Sequence, residues 1–223
     1  MAYDISAANL EFDHWSRTYD RSLLQRYLFR PSHQTLLEHI SAGDETLLDI
    51  GCGTGQFAAT ALSRFPRLNV WGIDLSAKML DQGLSRRHAW AGRLHVTRGD
   101  SERLPFHDSS FDVVTCSHSF HHYPRQAAVV AEMFRVLRPN GKLLILDGQR
   151  DSWWGWFIFD VIVTLVEGGV HHCSAGHFRR LFRNASFHEL RQLKRGWPIP
   201  YLLTVGSANK SAVLAPLPTT HAA

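Results

Sequence analysis

Residues 47–57 read Leu-Leu-Asp-Ile-Gly-Cys-Gly-Thr-Gly-Gln-Phe, a short apolar run followed by an acid and three glycines at alternate positions. From Phe57 the pattern becomes helical. A strand, a tight glycine turn and a helix start form the geometry in which an α/β sheet receives a nucleotide-like ligand at the carboxyl ends of its strands. The G-x-G-x-G spacing differs from that of dinucleotide enzymes and phosphate loops, so a pyrophosphate is not the expected ligand.

Further strands are predicted after this turn. Asn69–Asp74 ends in an acid, and Leu75-Ser76 then caps a helix. A carboxylate at the end of the second strand can accept hydrogen bonds from both hydroxyls of a ribose. The other strands are predicted at Leu94–Arg98, Phe111–Ser117 and Leu143–Asp147, and a helix reaching Arg135–Lys142 precedes the last of them.

The composition predicts one α/β domain. The chain has 223 residues, 44% of them hydrophobic, which is enough for a complete core. Its three cysteines argue against a disulfide scaffold and favour the cytoplasm. Met1–Ile5 lacks the basic flank and apolar stretch of a signal peptide. A net charge of +4 is too small to require a nucleic-acid partner.

Four ordered motifs carry a resemblance to a known family: LLDIGCGTGQF, WGIDLSAKML, RGDSERLPFHDSSFDVV and RVLRPNGKLLILD. They resemble the motifs of class I S-adenosylmethionine (SAM) dependent methyltransferases, particularly the small-molecule branch with the ubiquinone/menaquinone-type enzymes (methyltransferase type 11). The resemblance spans roughly Thr46 to Asp147. It implies SAM as cofactor and an α/β, Rossmann-like sheet of seven mostly parallel strands. Helices should cover both faces, the last strand should be antiparallel, and a helical cap should be present.

The resemblance also divides the chain. It implies one methyltransferase domain over residues 1–213, with an N-terminal helical lid (1–45), a SAM-binding core (46–147), cap and substrate helices (148–185) and closing strands (186–213). A flexible tail (214–223) is expected to follow. The lid contains a helical pattern over Arg21–Ile40, interrupted by Pro31. Helix is predicted over Trp153–Asn184, and the closing strands are predicted at Phe187–Leu193 and Tyr201–Ser207.

The resemblance implies a set of cofactor residues along these motifs. They are Tyr19, Asp49, Gly51, Cys52, Gly53, Gly55, Asp74, Leu75, Met79, Asp100, Ser101, Ser117 and His118. The glycines would lie under the methionine part of SAM, Asp74 would bind the ribose, and Asp100 with Ser101 the adenine edge. Tyr19 belongs to an aromatic segment that covers SAM in many relatives. Structural alternatives remain open, such as a helix-start charge at Asp74 and a core position at Met79.

Two histidines after the fourth strand are candidate catalytic residues. Methyl transfer needs a general base when the nucleophile is a poorly ionised hydroxyl or a carbon acid. His121 and His122 titrate near neutral pH and could take that proton. The alternative is that the pair only packs or positions the substrate. An Asn-Pro-Pro-Tyr type motif, which amino-directed enzymes use, is absent from this loop of the sequence.

The segment Trp153–Val166 is apolar nearly all round, yet it is shorter than the ~20 residues that span a bilayer and contains Asp160. The resemblance places it as a cap over the methyl site. Trp153, Trp156, Phe157 and His172 are therefore expected to contact the substrate, which would be apolar or aromatic. The alternatives are core packing, a dimer face, or an interfacial helix at a membrane surface.

A metal site is not expected. His171, His172, Cys173 and His177 are close in sequence but lack the C-x-x-C or H-x-x-x-H spacing typical of zinc ligands.

The predicted function is SAM-dependent methyl transfer to a small, apolar or aromatic acceptor through an O, C or S nucleophile, with release of S-adenosylhomocysteine. The expected protein is a monomer or homodimer with no nucleic-acid partner, and peripheral membrane contact is an alternative. Competing hypotheses are an RNA or protein methyltransferase and a non-catalytic protein that binds SAM or a membrane surface.

Overall fold

The computed structural model describes residues 25–167 and 170–210, which contain one sheet of seven strands. The strands are β1 (Thr46–Ile50), β2 (Asn69–Asp74), β3 (Leu94–Arg98), β4 (Phe111–Ser117), β5 (Leu137–Gly148), β6 (His188–Arg195) and β7 (Tyr201–Ala208). Their order is β3-β2-β1-β4-β5-β7-β6. β1 to β5 pair in parallel, whereas β7 is antiparallel to both β5 and β6. The predicted fold class is therefore confirmed.

The helices pack around this sheet. They are α1 (Arg30–Leu37), α2 (Gln56–Arg64), α3 (Ala77–Gln82), α4 (Leu84–Ala89), α5 (Gln126–Val136), α6 (Trp153–Trp156), α7 (Thr164–Glu167) and α8 (Ala175–Asn184). A π-helical turn (Gln25–Phe29) precedes α1, and a second π-helical segment (Phe157–Val163) joins α6 to α7. Phe120–His122 forms a 3-10 turn after β4.

The core lies on both faces of the sheet. Successive strand residues alternate between two apolar clusters, so that Leu47 belongs to one cluster and Leu48 to the other. This alternation follows from the twofold period of a strand, and burial on both faces explains why the central parallel strands are apolar throughout. At the edge, β6 reads His-Glu-Leu-Arg-Gln-Leu-Lys-Arg and is largely exposed. Charged side chains at an edge oppose pairing with another chain.

Several element boundaries differ from the predictions. The helix expected to reach Arg135–Lys142 ends at Val136, because Leu137 already pairs with Phe111 of β4 and Pro139 cannot continue a helix. The helix expected over Trp153–Asn184 is interrupted by the non-helical residues 170–174, and Ser174 then caps α8. Pro31 does not interrupt α1 but lies in its first turn, where its missing N–H costs nothing.

The remaining expectations about organisation stay predictions. Tyr19 and the tail at 214–223 lie outside the described residues, as does most of the predicted lid. Within the described ranges, every helix is too short or too polar to cross a bilayer.

Candidate functional site

A cleft of about 460 Å³ opens where the first five strands end. Its wall is formed by the segments that follow β1 to β5, together with α1 residues and the π-helical segment after α6. In open α/β sheets, ligands bind outside the carboxyl ends of the strands, near the point where strand order reverses. β1 lies at that point here, between β2 and β4.

The glycine turn after β1 forms the floor of the cleft. Gly51, Gly53 and Gly55 all have left-handed backbone angles, with φ of 68°, 54° and 74°. A Cβ on Gly51 would lie 2.3 Å from Ser119 Oγ, so this position admits no side chain. The amide of Gly51 donates to Ile73 O of the neighbouring strand at 2.8 Å, which fixes the turn against β2.

Asp74, the acid expected at the ribose, also holds the turn in place. Its Oδ2 accepts from Gly53 N and its Oδ1 from Ser76 N, each at 2.8 Å. Burial raises the pKa of Asp74, while these backbone donors act in the opposite direction. An ionised carboxylate has about four acceptor sites, so Asp74 can accept at least one further hydrogen bond from a ligand.

Asp49 lies deeper in the same wall. It is buried at the end of β1 and accepts a hydrogen bond from Thr115 Oγ1 at 2.8 Å. Burial raises its pKa to about 7, and the nearby Asp74 carboxylate adds to the rise, against the Thr115 hydrogen bond. With this pKa, both the neutral and the ionised form of the Asp49 side chain are populated near neutral pH.

The expected adenine end is more open. Leu75, Asp100 and Ser101 all line the cleft, and Asp100 Oδ1 accepts from Glu102 N at 2.8 Å. Met79 also lines it but is buried, with its terminal methyl against Gly53.

Two polar residues after β4 face the cleft from the other side of the turn. Ser117 Oγ is buried and makes no hydrogen bond within the described part of the chain. His118 Nε2 is hydrogen-bonded to Ser32 Oγ of α1 at 2.9 Å, and burial lowers the pKa of this imidazole to about 4. His118 is therefore neutral at physiological pH, and it ties α1 to the cleft wall.

A cluster of three histidines, His121, His122 and His172, surrounds Asp147 in the wall of the cleft. His121 donates its backbone N–H to Asp147 Oδ2 at 2.9 Å, and its ring Nδ1 contacts Asp147 Oδ1 at 2.7 Å. The His121 ring centroid lies 4.1 Å from that of His122 and 4.5 Å from that of His172. All four residues line the cleft.

The charges of this cluster follow from its burial. Burial alone would raise the pKa of Asp147, but the contact with His121 outweighs it and holds this pKa well below its usual range. Burial, with the neighbouring His121 adding to it, lowers the pKa of His122 well below 6.5 and that of His172 to about 4. His122 and His172 are thus neutral imidazoles at pH 7.

Asp147 was predicted as the last residue of a strand, without a functional role. The sequence did contain a signal for Asp147 as a site residue. Like Asp49 and Asp74, it lies at or next to the carboxyl end of a strand.

The cap segment Trp153–Val166 lines the cleft with different side chains from those expected. Trp153, Trp156 and Phe157 are 78%, 52% and 40% exposed, and none of them lines the cleft. The cleft wall is instead formed by Ile158, Phe159, Ile162 and Val163. These four positions recur at helical spacing, so they share one face and the tryptophans lie on another. Gly55 likewise does not line the cleft and serves as the N-terminal cap of α2.

Part of the chain is similar in sequence to known proteins. Residues 48–145 match the family described as a methyltransferase domain. The chain is 38% identical over 112 residues to a demethylmenaquinone methyltransferase of Deinococcus radiodurans, a match covering 49% of this chain and 46% of that protein. It is 36% identical over 126 residues to a fatty-acid O-methyltransferase of Mycolicibacterium smegmatis, covering 56% and 45%. The match thus spans about half the length of these curated relatives.

A solved structure extends the likeness to the whole fold. A SAM-dependent methyltransferase from Thermotoga maritima superposes with a TM-score of 0.72 at 20% identity, covering 89% of this chain and 98% of that one. Residues 48–145 are thus similar to the methyltransferase domain family, and the fold of the described chain is like that of this solved structure.

Proposed function

We propose that this chain transfers a methyl group from SAM to a small, apolar or aromatic acceptor and releases S-adenosylhomocysteine. The observation that carries the proposal is that one cleft joins two unlike halves. One half has the glycine turn, Asp49 and Asp74, and the other has an aliphatic and aromatic wall beside the histidine cluster. A cofactor and an acceptor could therefore lie end to end in it.

The first half fits SAM in three respects. The missing side chain at Gly51 keeps the backbone accessible, and Asp74 retains an acceptor site for a ribose hydroxyl. Ser117 Oγ, which has no hydrogen-bond partner among the described residues, offers a further polar contact. SAM, when bound, supplies a methyl group made electrophilic by a positively charged sulfur. Alignment of the reacting atoms can supply roughly 7–11 kcal/mol of the barrier, so the protein's main task is to position them.

The second half fits an acceptor with an apolar body and one polar atom. Phe159 and its aliphatic neighbours would cover the apolar part, while the neutral imidazole of His122 and the Asp147-oriented His121 would receive the polar end. A neutral imidazole can accept a proton from a hydroxyl. The two curated relatives are named for a quinone precursor and a fatty acid, which are both largely apolar, and this supports the same acceptor class.

The direct test is release of S-adenosylhomocysteine by the purified chain with quinols, phenols, fatty acids and thiols, and with RNA in parallel. We expect turnover on an apolar small molecule. Asp74→Ala should weaken SAM binding about 10- to 100-fold, because the ribose acceptor and the Gly53 anchor are lost together. Isothermal titration with SAM measures this change.

Asp81→Ala is the matched control, since Asp81 is an exposed acid on α3. It should bind SAM like the unmodified protein. Equal SAM affinity in Asp74→Ala, or turnover on RNA alone, would contradict the proposal.

The acceptor half can be tested separately with Phe159→Ala. Removing this buried ring should raise the KM for the acceptor about tenfold or more and leave the affinity for SAM unchanged, because the lost contact lies in the acceptor half. Steady-state kinetics with a water-soluble acceptor measure the KM for the acceptor, and isothermal titration measures the affinity for SAM. Trp153→Ala is the control, because Trp153 is exposed and outside the cleft wall, and its KM should not change. The reverse pattern would show that the outward aromatic face binds the acceptor.

A further inference from the structure

We propose that His121, Asp147 and His172 form a binding site for a divalent first-row transition metal in the wall of the cleft. One nitrogen from each histidine and one carboxylate oxygen all lie within 4.8 Å of one another, and all three residues are buried. The inference deepens the proposed function and rests on it in one respect: these side chains lie where the acceptor's polar end would be received.

The first argument is the state of the His172 ring. It is 7% exposed, and both of its nitrogens are buried without a hydrogen-bond partner among the described residues. A buried polar atom left unpaired costs roughly 1–3 kcal/mol, and such atoms in native proteins have a reason to be there. A neutral imidazole nitrogen is the commonest protein ligand for metals, and a bound ion would satisfy one of these atoms.

The second argument is that the backbone, not the ring, sets the position of His172. His171 N donates to His121 O at 2.8 Å, Gln126 Nε2 donates to His171 O at 3.0 Å, and Arg150 Nη1 donates to His172 O at 3.1 Å. The segment after the π-helical stretch is therefore held against the 3-10 turn that carries His121. The His172 ring lines the cleft and makes no hydrogen bond to any described residue.

The third argument concerns the capacity of Asp147. Its carboxylate accepts from His121 N, His121 Nδ1 and Gly148 N, at 2.9, 2.7 and 2.7 Å. An ionised carboxylate has about four lone-pair sites, so one remains for a metal.

The donor set indicates the class of ion. Two imidazoles and one carboxylate with open positions are typical of mononuclear Fe²⁺ sites, and imidazole also suits Zn²⁺ and other divalent ions of this row. Ligand bonds of about 2.0–2.2 Å place neighbouring ligand atoms roughly 3–3.5 Å apart, so binding needs inward side-chain rotation of about an ångström. The open positions would face the cleft, where an acceptor oxygen could bind. His122 is not one of the three ligands, and its ring lies 4.1 Å from that of His121 in the same wall.

The test uses the full chain, stripped of metal by chelation and dialysis, with Co²⁺ as a visible-absorbing probe and Zn²⁺ and Fe²⁺ in parallel. We expect one Co²⁺ per chain with ligand-field bands typical of imidazole ligands. His172→Ala should weaken binding at least tenfold, because one of three protein ligands is lost. His171→Ala is the matched control: its side chain is exposed, its backbone bond to His121 is retained, and it should bind Co²⁺ normally.

The proposal is overturned if Co²⁺, Zn²⁺ and Fe²⁺ all fail to bind at one per chain, or if His172→Ala and His171→Ala bind equally well. Thermal unfolding of each variant shows whether it is folded, and His172→Gln and Asp147→Asn replace His172→Ala if that variant is not. SAM titration of the same samples separates the two ideas. Intact SAM binding without metal binding overturns only the metal site, whereas metal binding without SAM binding overturns the proposed function.

Discussion

Gly51→Ala should weaken SAM binding by more than about a hundredfold and lower the free energy of unfolding by roughly 2–5 kcal/mol. Two costs add. The residue has φ of 68°, which a side chain disfavours, and the new methyl would lie 2.3 Å from Ser119 Oγ and 2.6 Å from Ser119 Cβ. Ser119 Oγ is itself bonded to Ile50 O and Tyr123 OH, so it has little freedom to retreat. The methyl also occupies the floor on which the cofactor would lie.

Substitutions at two further glycines separate the effect of backbone strain from the effect of the close contact with Ser119. Gly55 has φ of 74° but open space at its Cβ position, so Gly55→Ala should show backbone strain alone, of about 1–2 kcal/mol. Gly43 has open space and no left-handed angle, so Gly43→Ala should change neither quantity. Chemical denaturation and SAM titration of the three variants measure both effects. If Gly51→Ala behaved like Gly55→Ala, the close contact with Ser119 would not matter.

The second large effect is expected at His121. His121→Ala should lower kcat about 10²- to 10⁴-fold with little change in SAM affinity, because the group that receives the acceptor's polar end is lost while the cofactor half stays intact. The loss is expected whether His121 acts as a base or as a metal ligand. Asp147→Asn should lower kcat as well, since an amide has one acceptor oxygen and cannot replace the two carboxylate oxygens that hold the backbone N–H and the ring Nδ1 of His121.

Single-turnover kinetics with saturating SAM measure the loss. The control is His171→Ala, whose exposed ring adjoins the cluster in sequence but lies outside the cleft lining. Unchanged kcat in His121→Ala would show that alignment of acceptor and cofactor is sufficient. Added Co²⁺ or Fe²⁺ should raise the activity of the metal-stripped protein but not of His121→Ala, which links this result to the metal site.

Much of the cofactor half could be predicted from the sequence because its signals are local. The strands at Asn69–Asp74, Leu94–Arg98 and Phe111–Ser117 have the predicted bounds. The glycine turn and the acid at the end of β2 are also local features, since each is specified by residues next to a strand end. Of the predicted cofactor residues that the structure describes, Gly55 alone lies outside the cleft wall, because it starts α2 instead.

The acceptor half could not be predicted in the same way. The resemblance implied a cap, but an all-round apolar helix gives no signal for which face turns inward. Packing of Phe159 against Gly148 decides it. Likewise, the sequence spacing of His171, His172, Cys173 and His177 argued against a metal. The ligands proposed here come from three separate segments, which only the return of the chain after the cap brings within 4.8 Å.

The sequence alone thus determined the central strands and the turn that would receive a cofactor, because hydrophobic periodicity and glycine placement act over a few residues. The seven-stranded, mostly parallel sheet was implied by the family resemblance. Tertiary structure decided how the acceptor half is built. It pairs His121 with Asp147, leaves the His172 ring without a hydrogen-bond partner among the described residues, and turns Trp153 and Trp156 outward. These features depend on contacts between residues far apart in the chain, and burial at those contacts sets their charges.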